Sequence, residues 1–158
     1  MCYENVPLVN YLREKGIKID DLIATALELF SPHPGVETRE KASELLREGF
    51  MEALSDVNVS CLIVAGFLLE AAAENGKVPG LTSIRLRSPG GIVADELLGI
   101  NIATYIAGAR GLFEFVRFDQ IKPGILKNLG PFVNDAIGGL IAGVSSNMYT
   151  CASKQNLI

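Results

Sequence analysis

Residues 57–74, VNVSCLIVAGFLLEAAAE, decide the fold class. The stretch is apolar nearly all the way round and is broken only by Asn58, Ser60, Glu70 and Glu74. A helix that is apolar on every side is one that other helices wrap. The reading is therefore a central helix, ended by Asn75-Gly76, in an all-α domain. The rival reading is a membrane span. A span needs about eighteen or more apolar residues in a row, and polar residues interrupt this stretch. The next most apolar stretch, 132–144, carries Asn134, Asp135 and several glycines. No transmembrane segment is expected.

Working outward, the flanking segments also read as helices. Glu37–Leu54 is the clearest amphipathic one. Ala42, Leu45, Leu46, Phe50, Ala53 and Leu54 recur at three- and four-residue steps, and Glu37 with Lys41 supplies an i,i+4 pair. Residues 5–15 form a short helix ended near Gly16. Asp20 caps a second helix, Asp21–Leu29. Ser31-Pro32-His33-Pro34-Gly35 is a loop, because two prolines block helical continuation. Residues 77–90 form the longest loop. Helices follow over Ile92–Ala107 and Leu112–Ile121, with a turn at Gly108–Gly111 between them. The second stops before Lys122-Pro123-Gly124, since a residue preceding proline is pushed out of helical space. Pro131 opens a last helix that runs to about Tyr149. No stretch alternates with a period of two. The expected architecture is a compact bundle of six or seven helices around a central apolar one.

The chain has 158 residues, which favours a single domain spanning 1–158. Tryptophan is absent, so packing must come from aliphatic residues and close approach at glycine. The net charge of −4 and the lack of any Lys/Arg run exclude a nucleic-acid partner, because phosphate backbones demand a basic face. Cys2, Cys61 and Cys151 are odd in number and form no CxxC pair, and the first residues lack a basic stretch followed by an apolar one. Both features point to a cytoplasmic location.

The chemistry lies in acids placed among apolar residues. Asp95-Glu96 sits in GGIVADELLGINIA, Asp119 in FEFVRFDQIKPG and Asp135 in GPFVNDAIGGLIAG. Burying an unpaired carboxylate is costly, so such groups share a cation or pair with Lys or Arg. Clustered carboxylates suit Mg²⁺, a hard ion that bridges to phosphate; Mn²⁺ is the substitute. Each acid taken alone also reads as a solvated residue on an outer face. Asp95 and Glu96 point about 100° apart on a helix. Asp119 and Lys122, three apart, also fit a plain surface ion pair. Glu70 is a further acid near the end of the central helix. Ser88-Pro89-Gly90-Gly91 with Arg85 and Arg87 reads as a mobile loop that could offer N–H groups to phosphate. Asp135, Gly139, Ala142 or Gly143, and Ser146 form a stripe of small residues that lets another helix come close.

Four segments in order, LIVAGFLLEAAAENGKVPG, ADELLG, FEFVRFDQIKPGIL and PFVNDAIGGLIAG, resemble the phosphatidylglycerophosphatase A-like family over about residues 58–149. Asp95-Glu96-x-x-Gly99 is similar to one family motif, and Phe115-x-x-x-Asp119-x-x-Lys122-Pro123 to another. Asp135 matches the second acid of the family's Asp-Asp pair, while Asn134 replaces the first. Arg117 is not at the arginine position of the lipid branch. The chain looks closer to the soluble branch, which includes CobZ-type α-ribazole phosphatases. The resemblance implies Mg²⁺-dependent hydrolysis of a small phosphate ester, α-ribazole 5′-phosphate first, with a phosphatidylglycerophosphate or other phosphomonoester as the alternative. Asp95, Glu96, Asp119 and Asp135 would hold the metal, and Lys122 would neutralise the phosphate. A third reading is a non-catalytic ligand-binding module of the same fold, which Asn134 favours. A chain this apolar is also expected to form a homodimer.

Overall fold

The computed structural model describes residues 6–155. Cys2 and residue 5 lie outside the described residues. Among these residues eight α-helices follow one another: α1 (Pro7–Glu14), α2 (Ile19–Glu28), α3 (Arg39–Ser55), α4 (Val57–Glu74), α5 (Ser83–Arg87), α6 (Ala94–Ala107), α7 (Ala109–Ile121) and α8 (Pro131–Gln155). A 3-10 turn, Gly124–Asn128, joins α7 to α8. No β-strand is present among the described residues, so the all-α expectation holds.

The centre of the bundle differs from the expectation. It is α8, not α4. Every residue of α8 from Phe132 to Ser146 is buried, and α2, α3, α4, α6, α7 and the 3-10 turn all pack on it. In α4 only Val59, Ile63, Gly66, Glu70 and Ala73 are buried, while Val57 and Leu68 are 70% and 64% exposed. The reason lies in side-chain size. Gly138, Gly139, Gly143 and three alanines make α8 thin enough to be approached from all sides, whereas the Leu, Val and Phe residues of α4 fill the space on one side only. Among the described residues, α4 is the one helix long and apolar enough to cross a bilayer by length and composition.

Local chemistry explains the other departures. Asp20 does not cap α2. Asp21 does, its Oδ2 accepting the Lys18 N–H at 2.9 Å, and Asp20 pairs with Arg47 at 2.6 Å. Helix α3 starts after Thr38, whose hydroxyl accepts from Lys41 N–H, so Glu37 lies outside the helix and takes the Gly35 N–H instead of supplying a helical pair with Lys41. The turn between α6 and α7 is the single residue Gly108, at φ +63°. The expected 77–90 loop contains α5, capped by Thr82. Helix α8 continues to Gln155, beyond the expected end at Tyr149.

Helix directions follow from close contacts. A Cβ at Gly139 would overlap the Gly99 carbonyl, and one at Gly143 would overlap Ile106. The Asn147 side chain donates to the Ile106 carbonyl at 3.0 Å. Position numbers rise together on α6 and α8, so the two helices run parallel. Arg110 bonds Thr150 and Phe115 meets Gly138, so α7 runs antiparallel to α8. Gly66 lies against Ala136, and Glu70 against Phe132 N–H, so α4 is antiparallel as well. The N-termini of α6 and α8 and the C-termini of α4 and α7 therefore meet at one end.

Candidate active site at the meeting of four helix ends

This end holds a cavity of about 540 Å³ whose lining includes Asp95, Glu96, Asp119, Lys122 and Asp135. The four acids expected to hold a metal and the lysine expected to meet the phosphate thus line one space. A hollow of about 530 Å³ between α3, α6 and α8, lined by Tyr105, Val144 and Met148, contains none of them.

Lys122 occupies the middle of the group. Its Nζ donates to Asp119 Oδ1 at 2.7 Å, Asn134 Oδ1 at 2.8 Å and Asp135 Oδ1 at 3.4 Å. The residue closes α7 in the left-handed region at φ 48°, ψ 58°, the sole non-glycine with positive φ among the described residues. Glycine is the usual occupant of such a cap. A lysine there carries a backbone cost of about 1–2 kcal/mol, which the contacts of its ammonium offset. Asn134, 5% exposed, is fully engaged: its amide nitrogen donates to the Leu126 carbonyl while its oxygen accepts from Lys122. An aspartate could not make the first of these bonds when ionised. Asparagine, which can both donate and accept, therefore suits position 134.

Asp135 is 3% exposed. Burial pushes its carboxyl up to about 7, although the neighbouring Lys122 pulls the other way. Asp95 is raised too, chiefly by burial, against the pull of nearby backbone N–H groups and Lys122. Asp95 Oδ1 is shielded from solvent and has no hydrogen-bond partner among the described residues. Asp95 and Glu96 both lie in the first turn of α6, where negative charge also favours the helix dipole.

Glu70 has a structural task. Its Oε2 accepts from Phe132 N–H at 2.7 Å and Val133 N–H at 3.2 Å, so it caps α8 from another helix. Its carboxyl is raised by burial, and Asp95 adds to the rise. Gly130 leaves room for it, because a Cβ there would overlap the Glu70 carboxylate and force it to shift. Arg117 stands away from the cavity lining, bonded to Glu114 and to the Leu29 carbonyl. Arg87 and Lys127 do line the cavity, as do Ser88, Pro89 and Gly90. Sequence reading passed over Lys127, because a lone lysine in a turn carries no pattern.

Among the described residues, no three acidic, histidine or cysteine side chains already stand at metal-ligand spacing. The oxygens within the cavity are nevertheless of the kind a hard cation takes. The orphaned Asp95 Oδ1 and the acids that now share the Lys122 ammonium are the fitting donors.

No family model matches the chain. The low temperature requirement C protein from Listeria monocytogenes is 27% identical with a TM-score of 0.76, covering 96% of this chain and 97% of that one. A protein of unknown function from Bacillus stearothermophilus is 26% identical with a TM-score of 0.73, covering 91% and 96%. The ypjQ protein of Bacillus subtilis, described as family-model DUF64, has a TM-score of 0.75 over the whole of both chains at 20% identity, a likeness of fold. The uncharacterized protein MJ1330 of Methanocaldococcus jannaschii is 36% identical over 117 residues, which make up 72% of this chain and 90% of that protein. At that identity and coverage, the chain belongs to the same family as MJ1330.

Proposed function

We propose that the protein is a metal-dependent phosphomonoesterase acting in the cytoplasm, with α-ribazole 5′-phosphate as its substrate in cobamide (vitamin B12) biosynthesis. The observation that carries this reading is the meeting of Asp95, Glu96, Asp119 and Asp135 around one cavity. The motif resemblance supplies the reaction class and the substrate. The four acids would hold Mg²⁺, or Mn²⁺ in its place. Bound there, such a cation supplies Lewis-acid polarisation of a P–O bond and a water of lowered pKa. Lys122 holds Asp119 and Asp135 in position before substrate arrives. A carboxylate of the group left unliganded by the cation would accept the proton from water.

A specific observation favours the non-catalytic reading as the second. The Lys122 ammonium already bonds the oxygens of Asp119, Asn134 and Asp135, so an internal cation partly satisfies the acids. Phosphate release from α-ribazole 5′-phosphate, phosphatidylglycerophosphate and 4-nitrophenyl phosphate, with Mg²⁺, Mn²⁺ or EDTA, separates the readings. Release from the first, stopped by EDTA, is expected. Preference for the lipid ester would reassign the substrate. No release from any ester by folded protein would remove the enzymatic reading.

We further propose that a second copy of the chain covers the outer side of α4. Val57, Cys61, Ala65 and Leu68 are exposed along it at steps of four, four and three, with no charge between them. Asp56 and Glu74 at its ends would be repelled by an anionic membrane surface. The helix presents roughly 27 Å by 10 Å, and a stable pair needs about 800 Å² per partner. The remaining area would come from the exposed Leu97 and Tyr105 of α6 and Val93 just before it. A dimer by light scattering that Leu68→Glu dissociates is expected. A monomeric parent overturns the proposal.

A further inference from the structure

The cation closest to the acids is not available to a substrate. An ammonium has three N–H donors, and those of Lys122 face Asp119, Asn134 and Asp135. The backbone turn beside the cavity offers little more. Ser88 N–H donates to the Arg85 carbonyl, Gly91 N–H donates to the Ser88 carbonyl, and Pro89 has no N–H. Two other cations line the cavity, from different walls: Arg87 at the end of α5 and Lys127 in the 3-10 turn. Neither has an ion pair or side-chain hydrogen bond among the described residues. The acids repel an anion, so a phosphate dianion gains most where these two charges face it. Leu86, Ile92, Leu129 and Pro131 line the same cavity and give it apolar surface with no charge.

We propose that Arg87 and Lys127, rather than Lys122, bind the phosphate of a phosphomonoester, while the apolar lining of Leu86, Ile92, Leu129 and Pro131 takes an apolar or aromatic alcohol half. The substrate class rests on the phosphatase reading, but the anion site does not. Calorimetric titration tests it with inorganic phosphate, phenyl phosphate and methyl phosphate, in EDTA and again with Mg²⁺. The parent should bind phosphate. Loss of one charge-assisted contact in Arg87→Ala or Lys127→Ala should weaken binding about tenfold each, and the double variant should lose it. Arg85→Ala, on the same helix but away from the lining, should bind as the parent does. Phenyl phosphate should bind more tightly than methyl phosphate. Both residues are exposed, and circular dichroism checks that the variants fold. Binding by the parent that both variants lose supports the inference even if no ester is hydrolysed, in which case only the phosphatase reading fails. No phosphate binding by the parent, or equal binding by parent and variants, overturns it.

Discussion

Asp95 and Asp135 each lie four residues before a glycine at which their helices touch, Gly99 on α6 and Gly139 on α8. Because the two helices run parallel, that contact brings both carboxylates to the same end of the bundle. The glycines of the two motifs thus set the distance between the acids of the two motifs. Phe115 closes the contact from α7, where a Cβ at Gly99 would also meet its ring.

This contact can be tested directly. Gly139→Ala puts a Cβ into the Gly99 carbonyl, a backbone atom that cannot rotate away. Overpacking of this kind costs about 1–3 kcal/mol. For a chain of this length that lowers Tm by roughly 2–12 °C. Differential scanning calorimetry should show the drop, and a Tm equal to the parent's would mean that α6 and α8 do not touch there.

Asn134→Asp should damage the protein, although it adds a further acid to the cavity. The ionised side chain would set an oxygen against the Leu126 carbonyl in a site that is 5% exposed. An unsatisfied buried pair of acceptors costs about 1–3 kcal/mol. Urea unfolding should show a loss of that size at pH 7.5. The loss should shrink at pH 5, where a protonated aspartate can donate to the carbonyl again. Equal or greater stability of the variant at pH 7.5 would contradict the hydrogen bonding at Asn134.

The metal-free protein should lose stability as pH rises from about 4 to 7. Asp135 titrates near 7 in the folded chain, so across this window the folded state holds a proton that the unfolded state has released. The raised carboxyls of Asp95 and Glu70 act in the same direction. Urea midpoints measured in EDTA should fall between pH 5 and pH 7.5, and Asp135→Asn should flatten most of that slope. A slope that Asp135→Asn leaves unchanged would show that Asp135 does not titrate across the interval.

Lys122 offers a paired comparison. Both Lys122→Ala and Lys122→Gly remove the ammonium shared by Asp119, Asn134 and Asp135. Only glycine also relieves the left-handed backbone at φ 48°. The glycine variant should be the more stable of the two by about 1 kcal/mol. Denaturant titration reads the difference, and equal stability would place Lys122 outside that backbone region.

The chain's own sequence determined its class and its list of acids. Helix stops at Asn75-Gly76 and before Pro123, and the helix start at Pro131, are local matters of donors, carbonyls and allowed dihedrals, so they are legible without a fold. The small-residue stripe on the last helix was legible for the same reason. Which helix becomes the centre was not. Periodicity records which residues avoid water, but α4 and α8 both do so, and only packing shows that glycines let α8 be surrounded while α4 keeps an outer side in solvent. The convergence of Asp95, Glu96, Asp119 and Asp135 likewise depended on the parallel crossing at Gly99 and Gly139, a contact between residues forty positions apart. The tasks of Glu70, Lys122 and Asn134 came from partners 62, 13 and 8 positions away, which no local pattern specifies. Tertiary structure decided these because a buried polar group is defined by what satisfies it, and here the satisfying atom mostly sits on another element.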